Sequence, residues 1–216
     1  MTNSVEVTVE SVAKHHATGM KKVLGICTSP RQAASWRALE LALEAASGTG
    51  LVETEFISLR GKEIKSCNHC NYCKREKKLC IIDDDMKELY AKVMEADAYL
   101  FASPVYAMNA TPAFYAFSSR LRPIMANFPE KLRNKPVACI AVGGKRNGGQ
   151  ETTISSMMNA LITRGFLIVG NEPFYYSGGM AWSNDEGAAG IDKDSVGLES
   201  IRQIGKRIAE VCSLFR

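Results

Sequence analysis

The most constraining feature of this sequence is a regular alternation of short apolar runs with longer segments of helical pattern. Such alternation is typical of a parallel sheet with helices on both faces, because each crossover helix returns the chain to the same edge of the sheet. The predicted strands are 23–27, 52–59, 98–102, 137–142 and 166–169, and the predicted helices are 35–47, a helix beginning at 83, 112–125, 152–164 and 195–215.

Three of the predicted strands are apolar on both faces, as buried parallel strands should be. Five strands with a long insertion after the second match the strand order 2-1-3-4-5 of flavodoxin-like folds. The sequence therefore predicts an α/β, flavodoxin-like, doubly wound five-stranded parallel sheet in one domain over 21–216, with a cysteine-bearing loop at 60–82 after strand 2. Residues 1–20 form an N-terminal arm, either a short strand that packs on a partner or a disordered tail.

Composition and charge exclude several classes of protein. The net charge of +4 is too small and too scattered for a nucleic-acid-binding surface. No apolar run has the length of a membrane span, and the N-terminus lacks the pattern of a secretory signal. We therefore expect a cytoplasmic protein without nucleic-acid or membrane partners, whose seven cysteines stay reduced or bind metal.

Ligands of open α/β sheets bind beyond the carboxyl ends of the strands, so three loops are interpreted together. Loop 28–35 has hydroxyls, an arginine and backbone N–H groups at a helix start, which suit a phosphate monoester, and it lacks the G-x-G-x-x-G of a dinucleotide turn. Loop 103–112 offers Tyr106 and Met108 either to an aromatic ring or to the core. Loop 142–150 contains four glycines, which allow the backbone to approach a planar ligand closely.

Three segments of these loops, 28–31 (TSPR), 103–106 (SPVY) and 148–151 (GGQE), resemble the FMN-contacting segments of the NADPH-dependent FMN reductase superfamily in order and spacing. The resemblance runs from about Lys22 to the C-terminus. It implies a flavin-dependent oxidoreductase with FMN as its cofactor.

The resemblance also implies roles for individual residues. Trp36 stands where the family usually has a small hydroxyl residue, so one expected phosphate ligand is missing there. The three histidines lie away from the flavin loops, and no catalytic acid–base pair is predicted. The implied phosphate ligands are Ser29, Arg31 and Ser35; the ring is lined by Pro104, Val105, Tyr106 and Asn109, with Gly143, Gly144 and Gly149 beside its polar edge.

Cys67, Cys70, Cys73 and Cys80 supply four thiols from one loop. Thiolates at such short spacing close around one metal or one cluster with little loss of chain entropy. Structural zinc sites usually pair two C-x2-C knuckles a dozen or more residues apart, whereas successive x2 steps are closer to the ferredoxin run. The spacing therefore favours a [4Fe–4S] cluster over zinc or free thiols, although the fourth cysteine departs from the ferredoxin pattern. The other three cysteines, at 27, 139 and 212, are predicted core residues.

Within the superfamily, a compact four-cysteine loop after strand 2 resembles that of the iron–sulfur flavoproteins. This resemblance implies ferredoxin as electron donor and a homodimer or homotetramer in which the cluster of one subunit lies near the FMN of another. The basic side chains between the third and fourth cysteines either offset the cluster's charge, dock an acidic donor or form a solvated face. They are Lys74, Arg75, Lys77 and Lys78.

The predicted function is FMN-dependent electron transfer from the cluster to FMN and on to a small acceptor. Two alternatives remain at this stage: an NAD(P)H-dependent FMN or quinone reductase without a cluster, and a non-enzymatic electron carrier. The acidic run at 83–85 is interpreted as a helix cap rather than a metal site, with Asp85 and Glu88 resembling a capping box.

Overall fold

The computed structural model describes residues 19–215, so the predicted arm lies outside the described residues except for its last two. Strands and helices alternate as expected. The strands are β1 (Lys21–Cys27), β2 (Val52–Ser58), β3 (Ala98–Pro104), β4 (Pro136–Gly143), β5 (Leu167–Ile168) and β6 (Gly179–Trp182); the helices are α1 (Ala34–Ser47), α2 (Tyr72–Glu76), α3 (Met86–Glu95), α4 (Pro112–Ser119), α5 (Arg122–Asn127), α6 (Gln150–Ile162), α7 (Ala188–Lys193) and α8 (Ser195–Leu214).

The sheet is parallel, and its order β2-β1-β3-β4-β5 confirms the predicted topology. Cys27 at the end of β1 pairs with Ala102 of β3, which in turn pairs with Ile140 of β4. The carboxyl ends of these three strands therefore lie side by side, and the loops that follow them share one edge of the sheet. β3 and β4 are almost entirely buried, as predicted for central parallel strands.

The fifth strand position is divided between two short segments, which the sequence did not predict. β5 pairs with the start of β4, and β6 pairs with Ile140–Gly143 at its end. The intervening chain leaves the sheet and carries two exposed aromatic side chains, Phe174 and Tyr176. The predicted strand at 166–169 is therefore in the right place but forms only the first half of the fifth strand position.

Helices cover both faces of the sheet, and each face has its own apolar core. α1 and α8 cover one face with side chains such as Leu39 and Ile204. The α3, α4, α5 and α6 helices cover the other face. The single helix predicted over 112–125 is two helices, because Pro123 lacks an N–H and its ring would clash with the carbonyl four residues earlier. Within residues 19–215, no helix combines the length and apolar character needed to cross a membrane.

Candidate functional site

Hydrogen bonds join the three loops at the carboxyl edge of the sheet. The Thr28 N–H donates to the Ala102 carbonyl at 2.9 Å, and the Thr111 hydroxyl donates to the Thr28 carbonyl at 3.0 Å. The Val105 N–H donates to the Val142 carbonyl at 3.0 Å, which joins the second loop to the third. The predicted convergence of the three loops is therefore present in the structure.

The first loop leads into a helix whose N-terminus has no side-chain cap and no acidic residue in its first turn. The N–H groups of that turn lack helical acceptors, and the helix dipole favours an anion there. The Ser29 hydroxyl accepts from the Arg31 N–H at 3.1 Å and folds the turn that precedes the helix. Ser29 and Ser35 are buried, whereas Arg31 is exposed. This arrangement suits a phosphate monoester that reaches the loop from solvent.

The side chain of Trp36 has its own structural partners. Its indole N–H donates to the Glu40 carboxylate at 2.6 Å, and its ring lies 4.5 Å from that of Phe56 on β2. The Trp36 backbone N–H nevertheless belongs to the first turn of α1. If Trp36 contributes to phosphate binding, it does so through this N–H.

The second loop is a tight turn that exposes two side chains. Tyr106 and Asn109 exchange backbone hydrogen bonds at 2.8 and 2.9 Å, and Ala107 and Met108 between them have φ values of 48° and 62°. Non-glycine residues in this region cost about 1 kcal/mol or more each, and such strain concentrates at functional sites. Tyr106 is 42% exposed and Met108 is 55% exposed, so the core-packing alternative for these side chains is wrong.

The third loop needs glycine where it meets the second. Gly149 has a φ of 93°, and a Cβ there would lie 3.0 Å from Cγ of Met108. Gln150, almost fully buried, supports the loop from beneath. Its Nε2 donates to the Lys145 and Ala181 carbonyls at 2.8 and 3.2 Å, and its Oε1 accepts from the Gly148 N–H at 2.9 Å.

A fourth loop, 183–187, also reaches the site, and the sequence analysis missed it because β6 was not recognised. The Ser183 N–H donates to the Gly143 carbonyl at 2.9 Å. A Cβ on Gly144 would lie 2.5 Å from the Asp185 carboxylate, and one on Gly187 would lie 3.9 Å from Cβ of Ala33. The fourth loop therefore lies between the third loop and the first.

The cysteine loop forms a second candidate site. Its four predicted ligands line one cavity, together with residues of α4, α5 and their junction. No three Cys, His, Asp or Glu side chains within residues 19–215 are grouped as ligands of a single metal ion. His69, between two of the cysteines, is exposed. The cavity walls include Cys67, Cys70, Cys73, Cys80, Ser119, Arg120, Arg122 and Pro123.

Comparison with known proteins places the chain in a family. Residues 21–179 match the model of the NADPH-dependent FMN reductase family. The chain belongs to this family. An iron-sulfur flavoprotein of Methanocaldococcus jannaschii is 41% identical over 197 residues, covering 90% of this chain and 99% of that protein. An iron-sulfur flavoprotein of Methanosarcina thermophila is 35% identical over 199 residues, covering 90% and 97%. The resemblance to the iron–sulfur flavoproteins is thereby confirmed.

Solved structures agree on the fold. A structure of RosB superimposes with a TM-score of 0.69 at 17% identity, covering 90% of this chain and 79% of that chain. A flavodoxin-like WrbA-like protein from Agrobacterium tumefaciens gives 0.64 at 18% identity, covering 91% and 99%. The family match identifies this FMN reductase family member as a flavin-dependent oxidoreductase with FMN as cofactor. Its loops bring the uncapped N-terminus of α1, the exposed Tyr106 and a glycine-rich turn to one edge of the sheet.

Two side chains from the neighbouring helices α4 and α5, and one from α2 within the loop, hold the cysteine loop of this flavoprotein. Each contact fixes a main-chain group of a predicted cluster ligand, so the loop is ordered without pairing to the sheet. The Cys67 N–H donates to the Ser119 hydroxyl at 3.0 Å, Arg75 Nη1 donates to the Cys70 carbonyl at 2.8 Å, and Asn127 Nδ2 donates to the Cys73 carbonyl at 3.0 Å.

A buried ion pair anchors the start of this loop. Arg120 Nη1 and Nη2 donate to the two Asp84 oxygens at 2.6 and 3.0 Å, and both side chains are fully buried. Arg120 Nη1 also donates to the Lys65 carbonyl, and the Lys65 N–H donates to Asp84. Burial by itself would raise the pKa of Asp84, but the hydrogen bond from Arg120 holds that pKa below its usual value. Asp84 is therefore a charged structural partner of Arg120.

The predicted capping box is wrong in detail. Asp85 does not cap α3; its carboxylate accepts from the Glu63 N–H across the loop at 2.6 Å. Asp84 accepts from the Met86 N–H at 3.2 Å instead. The interpretation of the acidic run as a helix start is correct, but two of its members also fasten the cysteine loop to that helix.

The electrostatics of the cavity suit an anionic group. Nε of Arg120 and Nε of Arg122 are buried and have no hydrogen-bond partner among the described residues. Both arginines line the cavity with the four cysteines. Thiolate-ligated iron–sulfur clusters are anions whose sulfurs accept hydrogen bonds. The residues present therefore fit such a cluster, and the sequence analysis did not identify either arginine.

The other three cysteines differ from the loop cysteines in environment. Burial raises the pKa of the Cys27 and Cys212 thiols to about 11, and it raises the pKa of Cys139 as well. All three are almost fully buried in the core that their strand or helix faces. They are neutral packing residues, in agreement with the prediction from sequence.

Proposed function

We propose that this flavoprotein takes up electrons at a [4Fe–4S] cluster, transfers them to FMN and delivers them to a small-molecule acceptor. The observation that carries the proposal is the cavity lined by four cysteines of one loop and by two arginines, whose buried Nε–H groups have no hydrogen-bond partner within residues 19–215. The iron–sulfur names of relatives that cover almost the whole chain support the same assignment. The proposed cluster ligands are Cys67, Cys70, Cys73 and Cys80.

The proposed flavin site uses the first three loops in distinct ways. Ser29, Arg31 and Ser35 bind the phosphate together with the uncapped N–H groups of α1. When bound, FMN and the cluster supply redox chemistry, and the protein contributes binding, orientation and electrostatics. Trp36 contributes its backbone N–H to the phosphate site. The residues proposed to line the ring are Pro104, Val105, Tyr106 and Asn109, with Gly143, Gly144 and Gly149 beside its polar edge.

Metal and flavin analysis tests the proposal directly. Protein purified without oxygen should contain iron and sulfide at about four atoms each per FMN, as a [4Fe–4S] cluster requires. Reduced ferredoxin should then reduce the flavin. Zinc in place of iron, with rapid turnover by NAD(P)H, would support the alternative of an NAD(P)H-dependent FMN or quinone reductase, which the family match also favours. Flavin reduction without turnover of any acceptor would support a pure electron carrier.

We propose that an acidic electron donor such as ferredoxin docks on the basic surface at α2 and the turn after it, defined as Lys74, Lys77 and Lys78. All three lysines are exposed, and Lys74 and Lys77 line a groove together with Phe128. The surface lies between two proposed cluster ligands in the chain, so a donor docked there would be close to the cluster. Electrostatic attraction of this kind raises association rates and weakens with salt.

Charge reversal tests the docking site. Replacing the three lysines by glutamate should slow flavin reduction by ferredoxin about tenfold or more at low salt and should remove most of its salt dependence. Reduction by dithionite should stay unchanged, because that small reductant needs no protein docking. Lys206→Glu, a single reversal on the exposed face of α8, is the control for a charge change far from the surface and should behave as wild type. Equal rates of flavin reduction by ferredoxin in both variants would show that the donor docks elsewhere.

We also propose a homodimer or homotetramer in which cluster and FMN of different subunits work together. The cysteine loop follows the edge strand β2, which allows it to extend toward a neighbouring subunit. Mixed oligomers test this arrangement. A subunit with Cys70→Ser, which should lose the cluster, is combined with one carrying Arg31→Ala, which should lose FMN. Recovery of ferredoxin-driven flavin reduction supports transfer between subunits, and no recovery in proven mixed oligomers places both centres of the pair in one chain.

A further inference from the structure

Two arginines line the cysteine cavity, but they differ in how their charge is compensated. Arg120 is fully buried and makes a bidentate ion pair with Asp84, so the pair has no net charge. Arg122 donates from Nη2 to the Asn71 amide oxygen at 2.6 Å, and that partner is neutral. The positive charge of Arg122 is therefore not cancelled by the contact that holds it.

The surroundings of Arg122 strengthen this difference. Asn71 lies between Cys70 and Cys73, so the hydrogen bond holds the guanidinium against the loop of predicted cluster ligands. A third arginine, Arg164, is also close: burial lowers its pKa, Cys67 opposes that effect and Arg122 adds to it. Two cationic side chains therefore lie beside the cysteine loop, Arg164 near Cys67 and Arg122 in the cavity wall itself.

We propose that Arg122 sets the reduction potential of the cluster through its uncompensated charge, while Arg120 positions the loop. This inference rests on the proposed function, because it requires an iron–sulfur cluster in the cavity. Net charge and hydrogen bonds to sulfur are two of the factors that determine cluster potentials. A reduced cluster is more negative than an oxidised one, so a fixed positive charge beside it stabilises the reduced form and raises the potential.

The test is a redox titration of the cluster in which electron paramagnetic resonance measures the reduced fraction. Arg122→Met, which removes charge and donor but keeps a long side chain, should disfavour reduction about tenfold, equivalent to a midpoint potential lower by about 59 mV for one electron. Arg122→Lys keeps the charge and should titrate close to wild type. Arg207→Met on α8, on the other face of the sheet, is the matched control for loss of an arginine charge and should leave the potential unchanged.

The double variant Asp84→Asn with Arg120→Met separates positioning from charge. It removes the buried pair without changing the net charge, so the clusters that still assemble should titrate as in wild type, whereas iron content should fall. A wild-type potential in iron-loaded Arg122→Met overturns the proposal, and so does an equal shift in Arg122→Met and Arg122→Lys.

A variant that cannot hold the cluster does not prevent the test. If Arg122→Met fails to retain iron, Arg122→Gln replaces it under the same criteria. Loss of iron from every Arg122 variant, lysine included, overturns the proposal by showing that Arg122 is needed for assembly. Iron and sulfide analysis of the wild type comes first, because zinc or empty thiols there would contradict the proposed function rather than the role of Arg122.

Discussion

The flavin loops and the cysteine loop are both irregular segments, but different forces hold them in place. Each flavin loop predicted from sequence directly follows a buried central strand, so strand register fixes its position. The cysteine loop runs from the edge strand β2 to α3 and depends on side chains from elsewhere, such as Ser119, Arg120 and Asn127. A site built on the sheet should tolerate loss of one side chain better than a site clamped by side chains.

The largest expected effect on stability and iron content comes from breaking the buried Arg120–Asp84 pair. Arg120→Met leaves Asp84 charged and buried without its partner, which should lower the free energy of unfolding by about 3–5 kcal/mol and release iron. FMN should remain bound, because the flavin loops do not depend on this pair. Urea denaturation and metal analysis measure both effects. Lys87→Met, which removes the exposed Asp83–Lys87 pair, is the control and should retain iron. Equal iron content in the two variants would contradict the role of the Arg120–Asp84 pair in holding the cysteine loop.

The same pair predicts a pH dependence. The pKa of Asp84 is lower in the folded protein than its ordinary value of about 3.9, so its contribution to stability is complete above that pH. The contribution is lost as the pH falls through the folded pKa, because the protonated carboxyl no longer pairs with Arg120. Denaturation between pH 3 and 7 should show wild type losing its advantage over the Asp84→Asn/Arg120→Met variant only below about pH 4. A constant difference down to pH 3 would exclude this linkage.

Arg31→Ala should weaken FMN binding next most strongly. A charge-assisted hydrogen bond to phosphate contributes about 1.5–3 kcal/mol, or roughly 10- to 100-fold in the dissociation constant. Fluorescence titration of apoprotein with FMN measures the change. Arg37→Ala in α1, the helix that follows this loop, is the control, since Arg37 is ion-paired with Glu44 and Asp192. Unchanged affinity in Arg31→Ala would contradict the phosphate assignment.

Gly149→Ala should weaken FMN binding by a smaller factor. A Cβ at Gly149 is strained at its φ of 93° and would press on Met108, which displaces the turn proposed to line the ring. A cost of about 1–2 kcal/mol corresponds to roughly a five- to thirtyfold weaker affinity. Gly50→Ala is the matched control, because its φ is 72° but nothing lies within 4 Å of the added Cβ. The Gly50→Ala variant should be less stable but should bind FMN as wild type does. Similar FMN affinities in both variants would show that Gly149 is not part of the flavin site.

Trp36→Thr should have the smallest effect on the flavin. A hydroxyl in the first turn of α1 could add one phosphate contact, so FMN should bind slightly more tightly, while loss of the contact with Phe56 should lower stability. Trp36→Phe, which restores a ring without a hydroxyl, separates the two effects. Weaker FMN binding in Trp36→Thr would indicate that the indole itself supports the ligand site.

Much of the fold could be predicted because it depends on local pattern. Apolar runs such as 98–102 and 137–142 identified the central strands, and the flavin loops followed from them. β6 escaped prediction because four residues containing a glycine carry little strand signal, and the break between α4 and α5 was overlooked although Pro123 marks it. The fourth loop at the flavin site was missed for the same reason as β6.

By itself the sequence determined the sheet order, the three flavin loops and the four cysteines of the second site, because strand periodicity, loop composition and ligand spacing are local properties. Only the tertiary structure decided which side chains surround those cysteines. Arg120 lies 36 residues from Asp84 along the chain, and Arg122 lies 51 residues from Asn71. No local pattern pairs such residues. Their contacts exist because helices packed on one face of the sheet bring them together, and burial then makes each charge depend on the partner it meets.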